Sequence, residues 1–258
     1  MPPSLDELQT LARQAGEILR GGYGLEHTIQ HKGITDLVTE IDHRSEDLII
    51  HTIRQSYPSH RIVTEESGNL QGDTDHCWYI DPLDGTLNYA HGLQLFCVSM
   101  AYAEQQEVVL GVVYDPMQDE CFSAERGRGA WLNGRPIHVS TTPDLIHSLL
   151  ATGFPYDQWD SPLNNLEFFN RFSRRTQGVR RLGSAALDLC YVASGRVDGF
   201  WEISLKVWDI AAGSLIVQEA GGVVSQLFGT PHSLAPPISI LAANPVIYPL
   251  MQDVIRIP

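Results

Sequence analysis

From Ser4 to about Arg20, apolar Leu5, Leu8, Leu11, Ala12, Ala15, Ile18 and Leu19 recur at helical spacing, and the run stops at Gly21-Gly22-Tyr23-Gly24. A second helix is expected from about Asp42 to Tyr57, with Leu48, Ile49 and Ile53 inward and Pro58 at its end. The period then shortens. "HRIVTEE" (60–66), "HCWYID" (76–81), "LFCVSMAYAE" (95–104), "EVVLGVVYDP" (107–116), "ECFSAERG" (120–127) and "AWLNGRPIHVS" (130–140) read as consecutive strands broken by Gly, Pro and Asp. Beyond residue 145 the pattern alternates. Strands are expected near 147–152, 178–182, 199–203, 222–226 and 238–243, with helices near 163–175, 184–195, 209–220 and 245–254. Consecutive strands followed by alternation predict an α/β (α+β) layered sandwich of helix and sheet layers, with an N-terminal half over 1–145 and a C-terminal half over 146–258 forming one compact unit.

The 258 residues, 43% of them hydrophobic, suffice for a large buried core. Seventeen Lys and Arg stand against 31 Asp and Glu, a net charge of −14, which disfavours a nucleic-acid-binding surface and suits a protein that holds cations or is merely kept soluble. The four cysteines are far apart among apolar neighbours and read as reduced core residues. The first residues lack the basic and apolar regions of a signal peptide, and no apolar run reaches the roughly 18 residues of a membrane span. The expectation is a cytoplasmic protein without membrane contact.

The stretch "WYIDPLDGTLNY" (78–89) ends a hydrophobic run in two aspartates. Buried ionised carboxylates are costly unless donors or a cation neutralise them, so Asp81 and Asp84 point either to a capping turn or to a hard divalent ion. Glu65-Glu66 ends another strand-like run and Asp209 opens a helix, so three carboxylate groups at element ends have the means to converge on one cleft. Pro82 occupies the place of the nucleophile in a D-x-D-G-T aspartyl-phosphate motif, His91 stands where an EF-hand loop needs Glu, and no G-x-x-x-x-G-K-[ST] is present.

Five ordered motifs carry a resemblance: "KGITDLVTEID" (32–42), "TEESG" (64–68), "DPLDGTLNYAHG" (81–92), "GSAALDLCYVASGRVDGFWE" (183–202) and "LKVWDIAAG" (205–213) with "EAGG" (219–222). Together they resemble the inositol monophosphatase family of Mg²⁺-dependent, lithium-sensitive sugar phosphatases. The resemblance implies that Glu65, Asp81, the carbonyl of Leu83, Asp84 and Asp209 hold two to three Mg²⁺, and that Thr86, oriented by Asp42, serves the attacking water, with Glu65 assisting. Gly85 and Thr86 would offer N–H groups to phosphate, while Gly183, Ser184, Ala185, Glu202 and Asp209 would meet the substrate. It further implies hydrolysis of inositol monophosphate or a similar polyol or sugar phosphate, and a homodimer. Fructose 1,6-bisphosphate, NADP(H) and histidinol phosphate are alternative substrates. A non-catalytic regulatory role is the alternative from another class, since some bacterial relatives act with transcription machinery. Lys32 and Asp36 resemble a loop that closes over the metals, or are surface charges.

Overall fold

The structure, a computed structural model, describes residues 2–25, 29–31, 37–155 and 164–256. Helix α1 (Leu5–Gly22) starts where Ser4 accepts from the Glu7 N–H while the Glu7 carboxylate accepts from the Ser4 N–H, a reciprocal capping box. Strands β1 (Ile29–His31) and β2 (Leu37–Thr39) pair antiparallel, and Thr39 then caps α2 (Glu40–Ser56), which therefore begins two residues before the expected Asp42. Strands β3 (His60–Thr64), β4 (Gly68–Leu70) and β5 (Asp73–Asp84) lead into the short helix α3 (Thr86–Ala90). Next come β6 (Cys97–Glu104), β7 (Glu107–Asp115), β8 (Glu120–Glu125), β9 (Gly129–Leu132) and β10 (Arg135–Pro136). The single strand expected over 130–140 is divided because Asn133-Gly134, both at positive φ, form the two-residue turn that folds β10 back onto β9.

These eight strands form one sheet in the order β10-β9-β8-β7-β6-β5-β3-β4. All neighbours are antiparallel except β3 and β5. The remaining elements are β11 (Leu149–Thr152), α4 (Leu166–Ser173), β12 (Gly178–Arg180), α5 (Ala185–Ala193), β13 (Gly199–Leu205), α6 (Val207–Glu219), β14 (Val223–Ser225), β15 (Ile238–Ala243) and α7 (Ile247–Arg256). Their strands make a second sheet, β12-β11-β13-β15-β14, parallel at one side and antiparallel at the other.

The layers run α1/α2, eight-stranded sheet, α5/α6, five-stranded sheet, α4/α7, which is the layered α/β architecture that the sequence predicts. Helices α1 and α2 are amphipathic and cover one face of the large sheet. Helices α5 and α6 are apolar nearly all round, and both lie buried between the two sheets. Trp201, Phe172 and Met251 fill the outer cluster beneath α4 and α7. All four cysteines are buried and free, and no helix among the described residues is long and apolar enough to cross a membrane.

The middle layer has little slack. Gly111 of β7 lies so close to α6 that a Cβ there would sit 3.0 Å from the Ala212 carbonyl oxygen and 3.1 Å from its Cα, atoms of backbone that cannot rotate away. A Gly111→Val substitution is therefore expected to overpack this contact and cost about 1–3 kcal/mol. In a thermal melt this would lower Tm by roughly 2–4 °C per kcal/mol, and an unchanged Tm would show that the two layers separate freely.

Candidate active site

In a regular strand, residues three apart point to opposite faces. Asp81 and Asp84 nevertheless line the same cleft, because β5 carries a bulge between them. Asp81 pairs with Ser99 and Asp84 with Cys97, so three steps along β5 match two along β6, and the extra residue turns Asp84 to the side of Asp81. Pro82 sits in the bulge, where its missing N–H does no harm, and its carbonyl accepts the Ser45 hydroxyl at 2.9 Å. The Leu83 N–H donates to Asp81 Oδ1 at 3.0 Å. Gly85 follows at φ +95°, and a Cβ there would meet the Leu95 carbonyl oxygen at 2.8 Å. Backbone handedness and the neighbouring chain thus demand glycine, apart from any need to admit an anion.

Thr86 opens α3 and its hydroxyl lies 3.0 Å from Asp42 Oδ1 and 3.0 Å from the Leu83 carbonyl. Asp42, the third residue of α2, is fully buried, and its other oxygen accepts from the Thr39 N–H and hydroxyl. Burial pushes its carboxyl upward, opposed by the hydrogen bonds from Thr39 and Thr86. One turn further, buried Glu46 accepts from the Thr64 hydroxyl at 2.6 Å, the Glu66 N–H at 3.0 Å and the Ser67 N–H at 3.2 Å. It thereby fixes the turn that carries Glu65 at the end of β3. Strands β3 and β5 are parallel, so Glu65, Asp81 and Asp84 all emerge at the carboxyl end of the pair.

The opposite wall comes from the second half of the chain. Ser184 caps α5, accepting from the Leu187 N–H, and donates its hydroxyl to Asp84 Oδ2 at 2.6 Å; the Ala186 N–H reaches the same oxygen at 2.8 Å. The turn at Leu182 and Gly183 is tied to α3 through Asn88, whose amide donates to the Leu182 carbonyl at 2.7 Å and the Leu95 carbonyl at 2.8 Å. Asp209 lies in the first turn of α6 and accepts from the Lys206 N–H at 2.7 Å. Glu202 reaches the cleft from β13, its carboxyl directly above Gly153, where a Cβ would collide with it.

The resulting cleft has a volume of about 470 Å³. It brings together Glu65, Asp81, Leu83, Asp84, Gly85, Thr86, Gly183, Ser184, Ala185, Glu202 and Asp209, and Asp42 stands behind Thr86. Lys32 and Asp36 lie outside the described residues. Sequence reasoning missed Glu46, Asn88 and Asp188. Glu46 was detectable as the i+4 partner of Asp42 on the inner face of α2, whereas Asn88 and Asp188 had no comparable signal.

Six carboxylates line this cleft among the described residues, against the cations Arg181 and Lys206. Removal from water holds Asp81 well above the usual carboxylate range, and the charges of Glu65, Asp84 and Asp209 push it further. Burial likewise raises Asp209, with Asp84 and Glu65 adding to it, and raises Glu202 and Asp188. Burial raises Asp84 too, against the donors Ser184 and Ala186 that pull it down. Among the described residues, no three His, Cys, Asp or Glu side chains stand grouped so as to hold a metal ion without moving. Asp81, Asp84 and Asp209 each give one oxygen to a protein donor and keep a second carboxylate oxygen, an oxygen-only donor set with excess negative charge that fits hard divalent cations.

The profile of the inositol monophosphatase family matches residues 3–256. The Nus factor SuhB of Escherichia coli is 46% identical over 248 residues, covering 95% of this chain and 92% of that protein. The solved structure of inositol monophosphatase from Anabaena (Nostoc) superposes with a TM-score of 0.89 at 43% identity, covering 98% of this chain and 96% of the other. The extragenic suppressor protein suhB from Bartonella henselae superposes with a TM-score of 0.90 at 37% identity, with 96% of each chain covered. A match of this extent, on a fold whose acidic cleft is lined by residues of four of the five motifs with Asp42 of the remaining one behind Thr86, means that the chain belongs to the inositol monophosphatase family, whose members are generally metal-dependent.

Proposed function

We propose that the protein is a Mg²⁺-dependent phosphomonoesterase that hydrolyses inositol monophosphate, or a similar small polyol or sugar phosphate, to the free alcohol and phosphate. The observation that carries this reading is the cleft itself, where carboxylates crowd together beside a threonine hydroxyl held by a buried aspartate. A phosphate dianion would be repelled by such a surface unless cations intervened. The side chains of Glu65, Asp81, Asp84 and Asp209 and the carbonyl of Leu83 would hold two to three Mg²⁺. When bound, these ions would offset the carboxylate charge, lower the pKa of the attacking water and stabilise charge on the leaving oxygen.

The chain's own residues do the positioning. The Thr86 hydroxyl has one proton and two acceptors at equal distance, and the carboxylate of Asp42 is the stronger. With its proton held there, the Thr86 oxygen accepts from the attacking water and aligns it, and Glu65 borders the same water. Ser184 and the Ala186 N–H fix the rotamer of Asp84. The N–H groups of Gly85 and Thr86, together with the first turns of α5 and α6, present positive dipole ends to phosphate. Glu202 accepts from a substrate hydroxyl, while Gly183 and Ala185 shape the wall beside it and Asp209 borders both metal and substrate. Lithium inhibition, a homodimeric assembly and a cytoplasmic setting belong to the same reading. Fructose 1,6-bisphosphate, NADP(H) and histidinol phosphate compete as substrates for the same groups, and a phosphate-release panel with Mg²⁺, with and without Li⁺, separates them.

A second reading, a binding role independent of turnover, is favoured by the relatives called Nus factor SuhB. Complementation decides it: a cellular defect rescued by an Asp84→Asn protein would assign the essential role to binding, and a defect rescued only by the active protein would assign it to hydrolysis.

Asp84→Asn and Asp209→Asn should each lower Mg²⁺-dependent phosphate release by more than the roughly 10–100-fold that outer partners of a metal ligand contribute, while retaining the fold by circular dichroism. Turnover at the wild-type level in either would remove these residues from the metal site. For Thr86→Ala, kcat should fall about 100-fold or more with KM little changed, because the hydroxyl serves the water and not the bound ester; an unchanged kcat would exclude that role.

The pH dependence follows from the raised carboxyls. Above the unfolded value, a group whose folded pKa is raised binds more protons in the folded state, so the metal-free fold loses stability as pH climbs through that window. Cations compete with those protons and are favoured once they leave. The Tm increase produced by Mg²⁺ over EDTA should therefore be larger at pH 8 than at pH 5.5 for the wild type, and equal increases would contradict carboxylate ligation.

A further inference from the structure

Behind α6, on the side away from Asp209, lies a second cavity of about 960 Å³, about twice the volume of the carboxylate cleft. At about 100° per residue, Ala211, Ser214, Leu215 and Gln218 fall on the face of α6 opposite Asp209, and all four line this cavity. The turn of the β6–β7 hairpin, the start of β5 and the loop at His232–Ala235 complete its walls.

Its chemistry inverts that of the first cleft. The ionisable lining consists of Arg61, Arg126, Glu107, Cys77, Tyr79 and His232, in a chain of net charge −14. Arg61 uses Nε on Asn69, and Arg126 uses Nε on the Val108 carbonyl and Glu107. The terminal nitrogens of both guanidiniums have no partner among the described residues, so two forks of donors remain for an anion. Two buried polar atoms also lack a partner: the Ser214 Oγ, in a side chain only 2% exposed, and Nδ1 of His232. Such atoms are rare inside proteins, and both lie sealed behind the cavity wall, not on its open surface. Burial, reinforced by Arg126, depresses the His232 pKa and keeps the ring neutral. Burial pushes the Tyr79 hydroxyl up to about 12, so it stays a donor. The side-chain amides of Gln105, Gln106 and Gln218 add donors and acceptors, and Val108, Leu215 and Leu234 supply an apolar floor.

We propose that this cavity is a second, metal-independent binding site for a small hydroxylated organic anion, a sugar or polyol bearing a phosphate or carboxylate, whose charged group pairs with Arg61 and Arg126 while its hydroxyls meet the glutamine amides. Unlike the carboxylate cleft, it offers positive charge without any cation. The site is independent of the proposed hydrolysis, which uses the other face of α6.

Calorimetric titration of the full chain with glucose 6-phosphate in EDTA tests the proposal, since the acidic cleft repels the probe when divalent ions are chelated. One saturable site is expected. The Arg61→Gln/Arg126→Gln double variant should weaken it at least about tenfold, the effect of losing charge-assisted hydrogen bonds. Gln218→Glu, which places a negative charge at the rim without touching either arginine, should weaken it in the same direction should the double variant fail to fold. Asp209→Asn should leave the affinity unchanged. Mg²⁺-dependent phosphate release by the double variant should stay within about twofold of wild type, because neither arginine borders the cleft. Absence of saturable binding in EDTA, or binding lost in Asp209→Asn but kept in the arginine and Gln218→Glu variants, would overturn the proposal.

Discussion

Mutual repulsion among carboxylates in one cleft is the constraint around which this molecule is arranged. Beyond the effect of burial, the charges of Glu65, Asp84 and Asp209 raise the proton affinity of Asp81, those of Asp84 and Glu65 raise that of Asp209, and Glu202 and Asp188 stand close enough to join them. Left to themselves such groups would turn away from each other toward water. Here donors hold three of them, the Leu83 N–H on Asp81, Ser184 and Ala186 on Asp84 and the Lys206 N–H on Asp209, while the Glu46 carboxylate, accepting from the Glu66 N–H, fixes the turn of Glu65.

The donors at the starts of α5 and α6 are rigid because the middle layer is rigid. Helices α5 and α6 are clamped between two sheets, with Gly111 pressed against the Ala212 backbone. Their first turns therefore stand at fixed distances from the bulged end of β5. The same clamping separates two environments on one helix, since Asp209 and Ser214 share α6 yet face an acidic cleft and an arginine-bearing cavity. A helix that is apolar all round can carry such opposed sites because a few polar positions at its ends and seams suffice.

Much of the candidate site was legible. Asp81 and Asp84 announced themselves as charge at the end of an apolar strand, and Glu65 and Asp209 as carboxylates at element ends, because burying charge is costly wherever it occurs in a sequence. Other features were not legible. Nothing local to "DPLD" says that its two aspartates share a face; that follows from the register of β5 on β6, set by the partner strand. The i+4 spacing from Asp42 puts Glu46 on the inner face of α2, but its partners Thr64 and Ser67 come from another element and show only in the fold. The division of β9 from β10 was written in Asn133-Gly134, but the two residues of β10, Arg135 and Pro136, are too few to show a period of their own.

By itself the sequence determined the layered α/β class, most of the helices, the family and the residue types available for chemistry, since periodicity and motif order are properties of neighbours along the chain. Only the tertiary structure decided which carboxylates meet, why Gly85 and Gly111 must be glycine, that the Ser184 hydroxyl is committed to Asp84, and that a second cavity lies behind α6. Each of these depends on atoms tens of residues apart being packed to within a few ångströms, and packing is a property of the folded whole.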